Sequence, residues 1–255
     1  MRIIPLQTKL LKVGDSFCDA LLSAHRFEEG DIVVISSKAV ATVEGTIIDL
    51  STLKPTEEAI LFAKNTESRD AAFIQAVLEE TKRLHGSVVG ACPGALLTEV
   101  RPAGLTRGSI LTANAGLDES NIAKGFAVGW PTDPVASITA LKKEIEEKSG
   151  CFVAVLLSDS CCRPRRWGVE AFALAVAGLD PLSPQAGRAD LYGKKLRITT
   201  EATADQLATA ANFVMGNAGQ SIPAAVIRDH GLSLSEFCGW VPGIEPEEDL
   251  FKGIS

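Results

Sequence analysis

Two short segments of the chain carry uninterrupted apolar runs, GDIVVIS at residues 30–36 and CFVAVLLS at residues 151–158. Both runs are rich in branched side chains, which is typical of strands that are buried on both faces of a sheet. We therefore predict a buried strand at each segment. A further apolar segment, IPAAVI at residues 222–227, predicts the last strand of the chain.

Other segments show helical spacing of apolar residues, namely TEEAILFAKN, RDAAFIQAVLEETKRL and TADQLATAANFVMG. Such a stripe predicts a helix that packs one face against a core. Asp133 followed by Pro134 predicts the start of another helix, which Gly150 ends. Thr203 and Gln206 have the spacing of a capping box at the start of the last helix.

Alternating or short apolar runs predict the remaining strands. VEGTIIDLS predicts a strand soon after the first buried one, SVVGA and ALLTEV predict a hairpin around Pro93 and Gly94, and SILTA follows them. Strands and helices do not alternate cleanly, which favours an α+β fold of mixed sheets with flanking helices over a doubly wound fold. We predict one catalytic domain over residues 1–230 and a C-terminal tail over residues 231–255.

Composition narrows the class of protein. The chain has 255 residues, of which 46% are hydrophobic, so it can bury a full core. Its 25 basic and 32 acidic side chains give a net charge of −7, which argues against nonspecific partners such as nucleic acid or an anionic membrane. The N-terminus lacks the pattern of a signal peptide, and no apolar run approaches ~18 residues, so we expect a cytoplasmic protein.

Several common sites are excluded by pattern. Neither G-x-G-x-x-G nor G-x-x-x-x-G-K-[ST] occurs, which argues against a standard dinucleotide fold and against a P-loop. The six cysteines contain no C-x-x-C pair, so no zinc site or disulfide framework is indicated. A redox role for the adjacent Cys161 and Cys162 stays open. His25 and His85 lie near the ends of predicted helices and His230 in a loop, which makes a His-centred triad improbable, and no Ser or Cys lies in a nucleophile elbow.

Three polar clusters each follow an apolar strand, at residues 36–38, 114–121 and 158–160. Strand ends of this kind are where functional sites collect. Asp118 and Asp159 are hard oxygen ligands, and Ser160 and Asn217 could complete an oxygen shell that suits Mg²⁺ or Mn²⁺. Just beyond Asp159, three arginines at positions 163, 165 and 166 could clamp a phosphate or carboxylate. The alternative is that these charges only pair with one another in an exposed loop, and that ANAGLDESN at residues 113–121 is a polar turn.

The blocks ANAGLDESN, DPVAS, SDSCCRPRR, AVAGLDPL, DLYGKKL and ADQLATAANFVMGNA occur in this order. In this respect the chain resembles the coenzyme F-420 gamma-glutamyl ligase family from about residue 8 to about residue 230. The resemblance implies a GTP-dependent ligase, with ATP as the alternative nucleotide, that joins L-glutamate by a gamma linkage to a carboxylate of a deazaflavin acceptor. It also implies an unusual α+β fold and an intertwined homodimer.

The resemblance further implies roles for individual residues. Asp118, Asp159, Ser160 and Asn217 would bind metal, and two ions of Mg²⁺ or Mn²⁺ are expected. The residues that would contact the nucleotide are Thr8, Lys9, Leu10, Leu11, Ser37, Lys38, Asn121, Met215, Gly216, Asn217, Ala218, Gly219, Gln220, Ser221 and Ile222. Lys38, Arg163 and Arg166 would stabilise the charge that develops as a phosphoryl group is transferred to the acceptor carboxylate. The loop with the two arginines would help to exclude water from the acyl phosphate so formed.

The chain also departs from the family pattern. Thr42 stands where the family has a second lysine, and in SDSCCRPRR Cys162 and Arg165 replace a glycine and a tryptophan. Losing the tryptophan removes an aromatic surface that could stack on a flat ligand. A folate or pterin acceptor is therefore the alternative to the deazaflavin. Two other classes stay open, a nucleotide-binding regulator without turnover and a metal phosphohydrolase that is indifferent to glutamate.

Overall fold

The structure, a computed structural model, describes residues 1–66 and 69–253. Its elements in chain order are β1 (Arg2–Leu6), α1 (Phe17–Ala24), β2 (Ile32–Ser36), α2 (Ser37–Glu44), β3 (Ile47–Asp49), α3 (Glu57–Asn65), α4 (Ala71–Arg83), β4 (Ser87–Cys92), β5 (Ala95–Val100), β6 (Ile110–Ala113), β7 (Phe126–Val128), α5 (Pro134–Ser149), β8 (Ala154–Cys161), β9 (Glu170–Ala177), β10 (Ser183–Pro184), β11 (Thr200–Glu201), α6 (Thr203–Met215), β12 (Ala224–Arg228) and β13 (Cys238–Trp240). The last two residues of the predicted tail, 254–255, lie outside the described residues.

A six-stranded mixed sheet in the order β1-β12-β2-β8-β9-β13 forms the centre of the molecule. Its middle strands β2 and β8 are parallel, and its other neighbours are antiparallel. Smaller sheets are formed by β4-β5-β6, by β3-β7 and by β10-β11. The predicted α+β class with mixed sheets and flanking helices is confirmed.

Both faces of the central sheet are covered, which explains the two uninterrupted apolar runs. In β2, Val33 and Ile35 belong to the core on one face, together with residues of α1 and α5. Ile32 and Val34 point into the opposite core, where α6 packs. Because alternate side chains of a strand face opposite sides, a strand covered on both sides needs apolar residues at every position.

Two of the predicted strands differ from the structure. The strand predicted at residues 151–158 instead runs from Ala154 to Cys161, so the polar residues 158–160 lie within β8 and not in a loop. These residues pair with β9, since the ladder is formed by backbone N–H and C=O groups whatever the polarity of the side chains. VEGTIIDLS does not form one strand, since its first residues end α2, and Gly45 caps that helix in the left-handed conformation at φ 76°.

The predicted capping box at Thr203 and Gln206 is wrong. α6 already includes Thr203, Ala202 is the N-cap, and no side chain caps this end of the helix. The backbone N–H of Ala204 instead donates to the carbonyl oxygen of Pro181 at 3.0 Å. A neighbouring loop therefore satisfies the donor that a capping side chain would have satisfied.

The segment after β12 continues the sheet, so the prediction that IPAAVI is the last strand is wrong. β13 pairs with β9 at the edge, and Trp240 is buried in the core. Further along, the Glu245 carboxylate accepts hydrogen bonds from Arg101 and from the backbone N–H of Gly108. No helix among the residues that the structure describes combines the length and apolarity needed to cross a membrane.

Candidate active site

A cavity of about 400 Å³ opens where β2 and β8 end, and most of the predicted site residues line it. Because these strands are parallel neighbours, Ser36 and Ser158 lie side by side in register. The predicted residues that line the cavity are Thr8, Lys9, Leu10, Leu11, Lys38, Asp118, Asn121, Asp159, Ser160, Met215, Gly216, Asn217, Ala218, Gly219, Ser221 and Ile222. Asp118 and Asp159, which lie far apart in the sequence, thus face one space.

Four predicted residues do not line the cavity. Ser37 is buried at the start of α2, and its hydroxyl group has no hydrogen-bond partner. Gln220 accepts a hydrogen bond from the backbone N–H of Ala218 at 2.8 Å, which shapes the loop after α6. Arg163 forms an ion pair with Glu170, and the backbone N–H of Arg166 donates to the Arg163 carbonyl oxygen in a turn.

Lys38 lines the cavity, and its ammonium group lies 2.6 Å from Asp118 Oδ2. The Asp118 carboxylate also accepts hydrogen bonds from the Ser120 hydroxyl and from the backbone N–H groups of Glu119 and Ser120. Burial raises the pKa of Asp118, but the Lys38 charge and the hydrogen bonds outweigh burial and lower the pKa to about 2. Asp118 is therefore anionic throughout the physiological range.

Asp159 lies deeper, and only 8% of its surface is exposed. Trp130 Nε1 donates to Asp159 Oδ2 at 2.6 Å, and the backbone N–H of Ser160 donates to Oδ1 at 2.8 Å. Burial raises the pKa of Asp159, against the opposing effects of the Lys38 charge and of the Trp130 hydrogen bond. One lysine thus acts electrostatically on both carboxylates.

The ANAGLDESN loop divides into a structural half and a half that faces the cavity. Asn114, Ala115 and Gly116 are buried and have successive positive φ angles of 53°, 52° and 79°. The Asn114 side chain accepts from the backbone N–H of Leu96, and the Ala115 N–H donates to the Thr98 hydroxyl. Backbone in this rarely populated region persists only where its surroundings hold it, and such positions cluster at functional sites.

The second half of the loop carries the side chains that line the cavity. Asp118 is held by a two-way backbone bridge to Val128, with N···O distances of 2.9 Å. Asn121 Nδ2 donates to the Ala218 carbonyl oxygen at 3.3 Å, and Thr8 N donates to the Ser221 carbonyl oxygen at 3.0 Å. These contacts join three separate chain segments around one rim.

The donor set suits a hard cation. No cluster of three or more His, Cys, Asp or Glu side chains able to hold a metal occurs within residues 1–66 and 69–253. The cavity does present two carboxylates together with the hydroxyl-bearing residues Ser120 and Ser160. Mg²⁺ is commonly bound by only one or two carboxylates, with water and substrate phosphate oxygens as its other ligands. The residues present therefore fit Mg²⁺ or Mn²⁺ bound together with a phosphate-bearing ligand.

Some residues at or behind the site were missed by the sequence patterns. Trp130 holds Asp159 from behind and does not line the cavity, and Gly116 makes room for it, since a Cβ atom there would lie 2.4 Å from Trp130 Nε1. Asn212 and Val169 line the cavity, yet no prediction from the sequence named them. Gly116 lies in the ANAGLDESN block, but no local signal marks Trp130, Asn212 and Val169 as part of a site, because their roles depend on contacts between segments that are distant in sequence.

Two carboxylates and a lysine therefore share one cavity beside the middle strands of the sheet. Comparison with known proteins specifies the class. The family model described as F420-0:Gamma-glutamyl ligase matches residues 5–229. The chain therefore belongs to the F420-0:gamma-glutamyl ligase family.

Curated relatives agree with this assignment over almost the whole chain. The chain is 35% identical to the coenzyme F420:L-glutamate ligase of Methanocaldococcus jannaschii, across 99% of this chain and 97% of that protein. It is 36% identical to the protein of the same name from Methanothermobacter thermautotrophicus, across 96% and 95% of the two chains. The Archaeoglobus fulgidus ligase is 36% identical, across 86% and 83%.

Proposed function

We propose that this protein joins the amino group of L-glutamate, by a gamma linkage, to a carboxylate of a deazaflavin precursor of coenzyme F-420, with GTP as the co-substrate. One observation carries the proposal, namely that Asp118, Asp159 and Lys38 meet in a single cavity of a chain that belongs to this family. The names of the curated relatives support glutamate and an F420 compound as the substrates.

The proposed chemistry proceeds in two balanced steps. An oxygen of the acceptor carboxylate attacks the γ-phosphorus, the bond to the bridging oxygen of the nucleotide breaks, and the nucleoside diphosphate leaves. The glutamate amine then attacks the acyl carbon of the resulting acyl phosphate, losing a proton as phosphate departs. Activation is needed because a free carboxylate is a poor electrophile.

The residues of the cavity have distinct tasks in this scheme. Asp118 and Asp159 would hold one or two Mg²⁺ or Mn²⁺ ions, whose positive charge would neutralise the negative charge of the triphosphate during transfer. Lys38 carries a point charge on a flexible stem and would donate to phosphate oxygens as negative charge develops there. The rim formed by residues 8–11 and 215–222 would enclose the nucleotide and keep water from the acyl phosphate.

The direct test is product analysis with purified protein, L-glutamate and Mg²⁺ or Mn²⁺. GTP and ATP are each supplied with a deazaflavin carboxylate or with dihydrofolate, and products are weighed by mass spectrometry. We expect a gain of one or more glutamyl units on the deazaflavin with GTP. Gain on dihydrofolate alone would assign the alternative acceptor, and phosphate release without glutamate dependence would indicate a phosphohydrolase.

The acyl phosphate has a separate test. Hydroxylamine supplied in place of glutamate should give the hydroxamate of the acceptor, because it attacks an activated acyl group but not a free carboxylate. Formation should require both the nucleotide and the divalent metal. Absence of the hydroxamate under conditions that give the glutamyl product would contradict this intermediate.

Replacing Lys38 with methionine should lower kcat/KM for glutamate ligation by about 10²-fold, since a preorganised charge at the developing phosphate is lost. Methionine keeps most of the length of the aliphatic stem. The measurement is steady-state nucleoside diphosphate release with glutamate and acceptor present. Lys143→Met on the exposed face of α5 is the matched control and should behave as wild type. Equal rates in the two variants would show that Lys38 does not contribute to phosphoryl transfer.

A homodimer is part of the same proposal. The arm between β10 and β11 carries Leu191, Tyr192 and Ile198, all of which are almost fully exposed. Apolar side chains grouped on one exposed segment are typical of an interaction surface. Light scattering should therefore show a dimer for the wild type and a monomer for Tyr192→Asp combined with Leu191→Asp. Leu61→Asp on α3 is the control, and a monomeric wild type would contradict the proposal.

A further inference from the structure

We propose that Trp130 is a positioning residue that orients the Asp159 carboxylate toward the cavity, and that Trp240 of the C-terminal segment supports Trp130 in this role. The inference rests on the proposed function in so far as Asp159 binds a metal ion together with a nucleotide. Through Trp240, the inference gives a role to residues 231–255, for which the sequence alone predicted only a C-terminal tail.

One hydrogen bond to each oxygen fixes the orientation of the Asp159 carboxylate. The indole N–H of Trp130 occupies one position on Oδ2 at 2.6 Å, and the Ser160 N–H occupies one position on Oδ1 at 2.8 Å. Trp130 is 3% exposed, and it lies outside the lining of the cavity. Asp159 lines the cavity and its indole donor does not, so the donor approaches the carboxylate from outside the cavity lining, and each oxygen keeps a further lone pair.

An indole is suited to this task. Its N–H is a donor only and does not titrate in the physiological range, so the contact persists at any working pH. The terminal torsion of an aspartate is broad and has no strong intrinsic preference. Without the indole, only the Ser160 N–H would fix the Asp159 carboxylate, which would then sample a wider range of orientations. Partners behind the ligands of a metal commonly change metal affinity by about 10–100-fold when they are removed.

Gly116 leaves space for the indole of Trp130, and Trp240 packs near it. Gly116 has no side chain, and a Cβ atom there would lie 2.4 Å from Nε1 and 2.5 Å from Cε2 of Trp130. The ring centroids of Trp130 and Trp240 are 6.1 Å apart with an interplanar angle of 58°. Trp240 is in turn anchored by β13 and by a hydrogen bond from its Nε1 to the Ala103 carbonyl oxygen at 3.1 Å.

The hydrogen bond itself can be tested without metal or nucleotide. The chain has three tryptophans, so a ¹⁵N-indole spectrum should contain three peaks. Trp167→Phe and Trp240→Phe each remove one peak and thereby assign that of Trp130. Donation to a carboxylate shifts an N–H proton downfield, and Asp159→Asn should move the Trp130 peak upfield. If Asp159→Asn leaves that peak unmoved, the positioning role is overturned.

The effect on the site is measured as Mn²⁺ affinity in the presence of GTP or ATP, with free Mn²⁺ followed by electron paramagnetic resonance. Trp130→Phe should weaken Mn²⁺ binding by about tenfold. Replacement of Trp130 by benzothienylalanine, which has sulfur in place of the N–H and nearly the same size, should weaken binding equally. Trp167→Phe, at a fully exposed position, is the matched control and should bind Mn²⁺ as the wild type does.

Trp240 is tested through a double-mutant cycle on the same affinity. If Trp240 acts through Trp130, Trp240→Leu should weaken Mn²⁺ binding in the wild-type background and have little further effect in Trp130→Phe. Additive effects would overturn the supporting role of Trp240. The indole spectrum of each variant reports whether the fold is retained, which separates a local effect from unfolding.

The outcomes distinguish this inference from the proposed function. Wild-type affinity in Trp130→Phe and in the benzothienyl variant overturns the positioning role while leaving the ligase proposal intact. A wild-type protein that binds no Mn²⁺ with either nucleotide overturns the metal-binding part of the proposed function, and the role of Trp130 toward a metal ligand with it. In that second case, a shift of the Trp130 peak in Asp159→Asn would still show that the hydrogen bond exists, so the failure would lie in metal binding.

Discussion

Asp159→Asn is expected to lower kcat for glutamate ligation on the order of 10³-fold, since it removes a charge that the proposed metal site needs at the reacting phosphates. The free energy of unfolding should change by only about 1 kcal/mol or less in either direction. The amide keeps the size of the carboxyl group and an acceptor for Trp130. It also removes a charge that is costly to bury. The same cost is the reason that burial raises the pKa of Asp159.

Product formation is followed by mass spectrometry and stability by urea unfolding on the same preparations. Asp180→Asn, at an aspartate that does not line the cavity, is the matched control and should retain wild-type activity. If Asp159→Asn lowers kcat by less than about tenfold at saturating metal, the carboxylate is not a ligand on which the chemistry depends.

Gly116→Ala is expected to lower the free energy of unfolding by roughly 2–5 kcal/mol, from left-handed backbone strain and from overpacking together. Gly116 has φ +79°, and the added Cβ would lie 2.4 Å from Trp130 Nε1. The indole is 3% exposed, and its ring centroid lies 6.1 Å from that of Trp240. We also expect ligase activity to fall, because displacing Trp130 disturbs the Asp159 carboxylate.

Gly150→Ala separates the two contributions. Gly150 has φ +74°, but a Cβ atom added there would meet nothing within 4 Å, so only the backbone contribution of about 1–2 kcal/mol applies. Phenylalanine at position 130 lacks the Nε1 atom with which the new Cβ would clash, so Gly116→Ala should be less harmful in a Trp130→Phe background than alone. Equal losses of stability in Gly116→Ala and Gly150→Ala would show that the loop yields freely to the new side chain.

Much of the secondary structure follows from local pattern. The branched run of β2 and the helix α5, with Asp133 as N-cap and Gly150 as C-cap, match the limits that the sequence predicts almost to the residue. The hairpin of β4 and β5 is confirmed as well. In each case the residues that specify the element lie within it or next to it, so no knowledge of distant contacts is required.

The predictions that failed involve partners from elsewhere in the chain. β8 continues through Ser158, Asp159 and Ser160 because β9 pairs with them, although their polarity suggested a loop. The start of α6 is satisfied by a carbonyl group from the preceding loop and not by its own capping box. β13 is a short edge strand whose pairing with β9 leaves little trace in its own sequence.

For the site, residue type alone pointed to Asp118 and Asp159 as candidate oxygen ligands, because few side chains suit a hard cation. The family resemblance added Lys38 and residues 215–222, and the roles of all these residues stay predictions. Neither residue type nor the resemblance established that Asp118 and Asp159 face one cavity. That arrangement depends on the parallel pairing of β2 with β8 and on the backbone bridge between Asp118 and Val128. Trp130 donates to Asp159, and Gly116 and Trp240 lie next to Trp130. These residues are far apart in the chain, so their contacts form only when the folded elements pack together.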